Sequence, residues 1–231
     1  MNSNQDFSTT TAILLFAQSE KIESASKPFA GSIKQNLLLW KKMNDVALRT
    51  IQKTKLPYFI SNQNNQTGNT FGEKITSSIQ EIFNKGFEKV IIVGNDCMAL
   101  NVNNLLKAVH DLQFYDSVLG ADFNGGVYLI GISKSEYNEN LFENIPWQTK
   151  NVFTALQVLF KNQKVAYLPS LNDCNSSNDF KKAIDQLPYF SELKKILLAF
   201  LIVPKHQNYF LINAFIQQYY SLNFNKGSPI L

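Results

Sequence analysis

Two short stretches constrain this chain more than anything else in it: Ala12-Ile13-Leu14-Leu15-Phe16-Ala17 and Lys89-Val90-Ile91-Ile92-Val93-Gly94. Each is a continuous apolar run bounded by polar residues, without the apolar/polar alternation of a strand that has one wet face. Such a run reads as a strand buried on both faces, and that burial requires a layer of helices above and below the sheet. Ser117 to Gly120, Val127 to Gly131 and Val165 to Leu168 add three more strand candidates. Helical spacing separates most of them. It runs through Ile33, Leu37, Trp40, Asn44, Ala47 and Ile51, then Ile75, Ile79, Ile82 and Phe83, then Val102, Leu105, Leu106 and Val109, and later Val152, Leu156 and Leu159. The alternation predicts an α/β sandwich around a largely parallel sheet.

Phe123-Asn124-Gly125-Gly126 lies between two of the apolar runs. Asn-Gly is a strong hairpin signal because both turn positions can take positive φ, so a local antiparallel element is expected inside the parallel sheet. The Asn/Gln-rich stretch 61–69 has no periodicity and reads as a surface loop. At 231 residues, against about 150 per domain, the chain is long enough for one large domain, assigned to residues 1–187, and an appendage, 188–231. In that appendage Phe190 to Val203 is an apolar helical pattern stopped by Pro204, and Tyr209 to Leu222 is a second, rich in aromatics. Ile196 to Val203 is apolar almost all round but far shorter than the about 20 residues a bilayer needs. It is expected to dock on the main domain or to make a homo-oligomer.

Apolar residues make up 45% of the chain and charged residues 17%, which excludes collagen-like, coiled-coil and disordered architectures. A net charge of +4, spread evenly, is no footprint for nucleic acid. Two cysteines and two histidines cannot build a disulfide framework or a Cys/His zinc cluster. The first apolar run has no basic flank and is too short for a signal peptide or membrane span, so a cytoplasmic protein is expected.

No Gly-x-x-x-x-Gly-Lys-Ser/Thr, no Gly-x-Gly-x-x-Gly after the first strand and no Gly-x-Ser-x-Gly elbow occurs. What remains is Gly94-Asn95-Asp96-Cys97 at the end of a central strand. Ligand crevices of open α/β sheets lie beyond the carboxyl ends of their strands, so Asp96 is placed to hold a divalent cation against a diphosphate. On spacing alone, an Asp that bonds to the amides of its own loop in an Asx-type turn is slightly the better reading. Cys97 reads as an inert core thiol, since no basic neighbour adjoins it to lower its pKa.

Several segments, in order, resemble one family: bacterial GT-A-like glycosyltransferases of the radical-SAM/selenodomain-associated type, relatives of the nucleotide-sugar and nucleotidyl transferases. The resemblance spans about Ala12 to Ile184. It is carried by the first strand and the loop Lys27-Pro28-Phe29-Ala30-Gly31-Ser32-Ile33-Lys34-Gln35-Asn36-Leu37, by Phe71-Gly72-Glu73-Lys74-Ile75, and by Val93-Gly94-Asn95-Asp96-Cys97-Met98-Ala99-Leu100. Leu119 to Gly131, containing Asp122-Phe123-Asn124-Gly125-Gly126, Leu141 to Thr149, containing Ile145-Pro146-Trp147, and Leu168 to Phe180 complete it.

The resemblance implies a GT-A-like, Rossmann-like three-layer sandwich that binds a nucleotide-activated sugar with Mg²⁺ or Mn²⁺. A diphosphate leaving group carries charge that such a cation and Lys or Arg must counter. Asp96 would be the metal ligand, and Asp96, Asn124 and Asp173 the catalytic positions, with Asp122 a substitute acid beside Asp173. Lys27 and Lys34 would face phosphates, joined at the ligand by Asn36 and Lys74. Gly125 and Gly126 would let backbone approach the sugar, and Trp147 and Thr149 would line it, although a Trp in such a domain is more often core. Asn36, Asn124 and Asn175 stand where the family carries charged residues. Asn cannot act as a base and lacks the bidentate fork of Arg. Two further roles therefore stand beside a transferase: a pseudoenzyme that binds a nucleotide sugar without turnover, and an interaction protein working through its C-terminal helices.

Overall fold

The computed structural model describes residues 10–189 and 192–201. Six strands form one sheet: β1 (Thr11–Phe16), β2 (Tyr58–Ser61), β3 (Lys89–Val93), β4 (Ser117–Asp122), β5 (Val127–Ser133) and β6 (Val165–Leu171). Their spatial order is β2-β1-β3-β5-β4-β6. β1 pairs parallel with β2 and β3, β4 pairs parallel with β6, and β5 runs antiparallel between β3 and β4. Five strands therefore share one direction and only β5 is reversed, which is the mostly parallel sheet with a local hairpin that the sequence predicts.

The two defining runs are covered on both faces. Ala12, Leu14 and Phe16 join one apolar cluster with Ile75, Ile79 and Ile82 of α3 (Phe71–Asn84) and Val152 and Leu156 of α6 (Val152–Leu159). Ile13 and Leu15 point the other way, into a cluster with Ile51 of α2 (Ile33–Gln52) and Leu105 and Ala108 of α4 (Val102–Asp111). A period of two sends alternate residues to opposite faces, so a strand apolar at every position is what a three-layer sandwich demands. A third cluster lies beyond α2, where Leu39, Trp40 and Met43 meet Phe29, Met98 and Phe180, Ala183 and Ile184 of α7 (Ser177–Gln186).

Three elements depart from the sequence reading. The edge strand β2 carries exposed Tyr58 and Ile60 and no apolar run. α1 (Glu20–Ser26) precedes the Lys27 loop, and the short α5 (Glu139–Glu143) precedes Trp147. The turn after β4 also differs from the expected pair of positive φ values, because of its residues only Gly125 adopts one, at 90°.

α8 (Glu192–Leu201) places Leu197 in the third cluster, with Leu193 and Ile196 packed against it. The rest of the expected appendage, including the pattern Tyr209 to Leu222, lies outside the described residues. Among the described residues, no helix is long and apolar enough to cross a membrane.

Candidate functional site

The carboxyl ends of the five codirectional strands lie along one edge of the sheet, the edge where α/β folds gather ligands. β1 leads through Ala17 to Ser19 into α1 and on to Lys27, β3 ends at Gly94-Asn95-Asp96, β4 ends at Asp122, and β6 runs into Asn172-Asp173-Cys174-Asn175. Residues far apart in sequence meet here. The Lys27 ammonium donates to Asp96 Oδ2 at 2.8 Å and to Asn175 Oδ1 at 3.2 Å. The Cys174 N–H donates to the Asp96 carbonyl at 3.1 Å, tying the β6 loop to the β3 loop. The Lys27 and Asp96 side chains keep 24% and 20% of their surfaces exposed, so the pair faces solvent rather than being sealed in.

The loop presenting Lys27 is built rigidly. Asn36 is 2% exposed; its Oδ1 accepts from the Phe29 and Ala30 N–H groups at 2.9 and 3.3 Å, and its amide donates to the Ser24 and Lys27 carbonyls. Trp40 Nε1 donates to the Lys27 carbonyl at 3.0 Å. Phe29 stacks on Phe180 with ring centroids 5.1 Å apart and meets Trp40 at 5.3 Å. The Lys27 ammonium lies 5.7 Å from the Trp40 ring centroid, within cation–π range.

Two buried acids flank the pair. Asp173 is 5% exposed and its Oδ1 has no hydrogen-bond partner. Burial, then the neighbouring charges of Asp96 and Asp122, push its carboxyl well above the usual range. Glu23, 8% exposed on α1, is raised chiefly by burial against the opposing pull of Lys27. Burial works to lower the Lys27 pKa, but the facing Asp96 carboxylate, with Glu23 and Asp173 behind it, outweighs burial and raises it. Cys97 is buried, as expected of a core thiol, and its thiol is pushed well up, first by burial. Among the described residues, no group of three or more His, Cys, Asp or Glu side chains is disposed to hold a metal ion.

The other residues implied by the resemblance occupy different surroundings. The Asx-type turn weighed for Asp96 is found instead at Asp122, whose Oδ1 accepts from the Asn124 N–H at 2.7 Å and the Gly126 N–H at 2.6 Å. The Asn124 side chain is exposed at that turn. Gly125 lets the Lys150 carbonyl come close, and its own carbonyl accepts from the Phe153 N–H at 3.0 Å; Gly126 leaves room for the Asp122 carboxylate. Lys34 is exposed and Lys74 half-buried, in the first turns of α2 and α3. Trp147 is half-buried, donating to the Phe142 carbonyl at 3.0 Å and packing on Phe142 and Phe71. Exposed Thr149 accepts from the Asn151 N–H at 3.2 Å at the entry to α6.

The structure thus brings Lys27, Asp96, Asp173 and Asn175 into one constellation and adds Glu23, which the sequence reading missed. The signal for Glu23 was its position four residues before Lys27, a Glu-to-Lys pairing distance on a helix. Asp96 lines neither of two cavities nearby in the fold. One, of about 10 Å³, lies beside Asn95, Cys97 and Met98, and the other, of about 240 Å³, lies between β2 and α3. The constellation is a shelf on which the Lys27–Asp96 pair is partly open to solvent while Glu23 and Asp173 lie buried beside it.

Residues 42–149 match the model of the family DUF2064, described as an uncharacterized protein conserved in bacteria. No curated protein matches the chain. Among solved structures, a protein of Desulfovibrio desulfuricans G20, provisionally named a nucleotide-diphospho-sugar transferase, matches with a TM-score of 0.73 at 20% identity, over 91% of this chain and 98% of that one. The 4-diphosphocytidyl-2C-methyl-D-erythritol synthase of Anaerococcus prevotii DSM 20548 matches with a TM-score of 0.51 at 12% identity, over 76% of this chain and 97% of that one. At these identities the likeness is one of fold, and it places this chain's six-stranded sandwich among the GT-A-like and nucleotidyltransferase-like structures.

Proposed function

We propose that the shelf around Lys27 and Asp96 binds the diphosphate of a nucleotide-activated sugar, and that the chain is a glycosyltransferase-like protein of the radical-SAM/selenodomain-associated type. The observation that carries this reading is the Lys27–Asp96 pair, partly open to solvent at the carboxyl edge of the sheet. A diphosphate needs positive charge and N–H donors, and an ammonium held on an open edge supplies both. Burial, then the charges of Asp96 and Asp122, raise the Asp173 carboxyl above the ordinary range, so it takes up a proton more readily than a solvated acid would. Asn36 acts here as a positioning residue that fixes the backbone carrying Lys27.

One observation favours binding without turnover. Of the three acids Asp96, Asp122 and Asp173, the last two are buried and Asp122 is engaged by its own turn, which leaves only Asp96 with a solvent face to serve as a base.

Thermal shift and calorimetry across a panel of nucleoside diphosphate sugars, with assay of released nucleoside diphosphate, tests both readings. Ligand should raise Tm in the wild type, and Lys27→Met should lose that shift. Binding with product release supports the transferase, and binding without it supports the pseudoenzyme. No shift with any donor sinks both.

A further inference from the structure

We propose that the Lys27 ammonium is the resident cation of the Asp96 site, standing on the oxygens that a divalent ion would need, so that the ligand-free protein excludes Mg²⁺ and Mn²⁺ from this carboxylate. Lys27 Nζ bonds one charged and one neutral oxygen, Asp96 Oδ2 at 2.8 Å and Asn175 Oδ1 at 3.2 Å, presented by the loops that follow β3 and β6. Carboxylate and amide oxygens are the ligand types of hard divalent cations. An ammonium on these two atoms disfavours a dication on them, because the two cations repel one another at contact distance.

The lysine is held in place. Its carbonyl accepts from Trp40 Nε1 and Asn36 Nδ2, Phe29 two residues on is stacked on Phe180, and its head group lies over the Trp40 ring. The backbone that presents the ammonium is therefore already fixed by the fold, and the Trp40 ring flanks its head group.

The surroundings favour one tethered charge of this kind. Glu23, Asp96 and Asp173 all contribute attraction at Lys27, and Asp122 adds its field at Asp173. The Asp173 Oδ1, buried and without a partner, presents a further oxygen among these acids. A divalent ion here would find no ready set of three acidic, His or Cys ligands among the described residues and would need water or phosphate oxygens to complete its shell. An ammonium has three donors; two go to Asp96 and Asn175, which leaves the third to point at a ligand oxygen. The inference deepens the diphosphate reading and rests on it for what the site is for, but the metal behaviour is a property of the chain's own atoms.

The test therefore uses Mn²⁺ alone, without nucleotide, on the full chain, with bound ion read by electron paramagnetic resonance and calorimetry. Wild type should bind Mn²⁺ weakly or not at all. Lys27→Met should bind it at least about tenfold more tightly, and the added Asp96→Asn change should abolish the gain. Submillimolar Mn²⁺ binding to wild type that Asp96→Asn removes would overturn the proposal, and that result stands whether or not the Lys27 variant folds. A folded Lys27→Met protein, verified by its melting curve, that gains no affinity would overturn it as well. Failure of every sugar nucleotide to bind, with the Mn²⁺ gain intact, would remove the diphosphate reading alone.

Discussion

Asn36 stands where the resembling family carries an arginine, and here both ends of its amide are engaged by the backbone that presents Lys27. Replacing it by Ala leaves the buried Phe29 N–H without an acceptor, so Asn36→Ala should cost about 2–3 kcal/mol, read as a lower urea midpoint at unchanged m-value. It should also weaken the Lys27 contact with Asp96. Asp173 makes a pH prediction. Burial, then the charges of Asp96 and Asp122, raise its folded pKa above that of an ordinary aspartate, so the folded state binds the proton more tightly than the unfolded chain. That contribution is fully present below the unfolded pKa and is lost as pH rises through the folded one. Wild type should therefore lose stability relative to Asp173→Asn as pH climbs from about 4 toward neutrality, and parallel denaturation curves over that range would refute the assignment. The position of Asp96 at the carboxyl edge of the sheet was legible because it follows an unmistakable strand. Glu23 was not, because burial on α1 is inverted: Glu23 is buried while Ile22 is 42% exposed, contrary to what an apolar stripe suggests.

Elements were legible in proportion to how completely they are buried. β1 and β3 declare themselves, since covering both faces selects apolar residues at every position. β2 does not, because an edge strand of four residues with exposed Tyr58 and Ile60 has neither an unbroken run nor a regular alternation. α3 is specified by local chemistry that the resemblance had suggested as a motif. Thr70 accepts from the Glu73 N–H at 3.1 Å, while the Glu73 carboxylate accepts from the Thr70 N–H at 3.2 Å and from that of Asn69, a capping box that accounts for the acid after Gly72. The β4–β5 turn is likewise explained from within. Gly125 combines a φ of 90° with a Cβ position that would run into the Lys150 carbonyl oxygen. Gly125→Ala should therefore cost at least about 2 kcal/mol and loosen the connection to α6, measured by denaturation and by amide exchange at Phe153, whose N–H bonds the Gly125 carbonyl. A tolerated alanine would mean that the turn is not clamped as described.

At the scale of the whole molecule, the single reversed strand matters because it leaves the other five with their carboxyl ends on one edge, so segments about 70 and 150 residues apart in sequence, Lys27 against Asp96 and Asn175, close one site. A ligand gripping that site must stabilise all its contributors at once, since opening any one of the three loops releases the ligand. Saturation at about 100 times Kd adds about 2.7 kcal/mol, enough to slow exchange of every amide whose opening breaks the site. With a nucleoside diphosphate sugar bound, hydrogen exchange should slow together in residues 23–30, 94–97 and 172–176. The wall between β2 and α3 should stay unchanged, although the larger cavity, of about 240 Å³, lies there. The β2–α3 cavity shares no lining residue with the three loops of the Lys27 shelf, so the experiment discriminates cleanly. Protection confined to Phe59, Ser78 and their neighbours would put the ligand in that cavity and remove the shelf from consideration, whereas joint protection of the three loops would mean that the ion pair, not the β2–α3 cavity, marks where this fold binds its ligand.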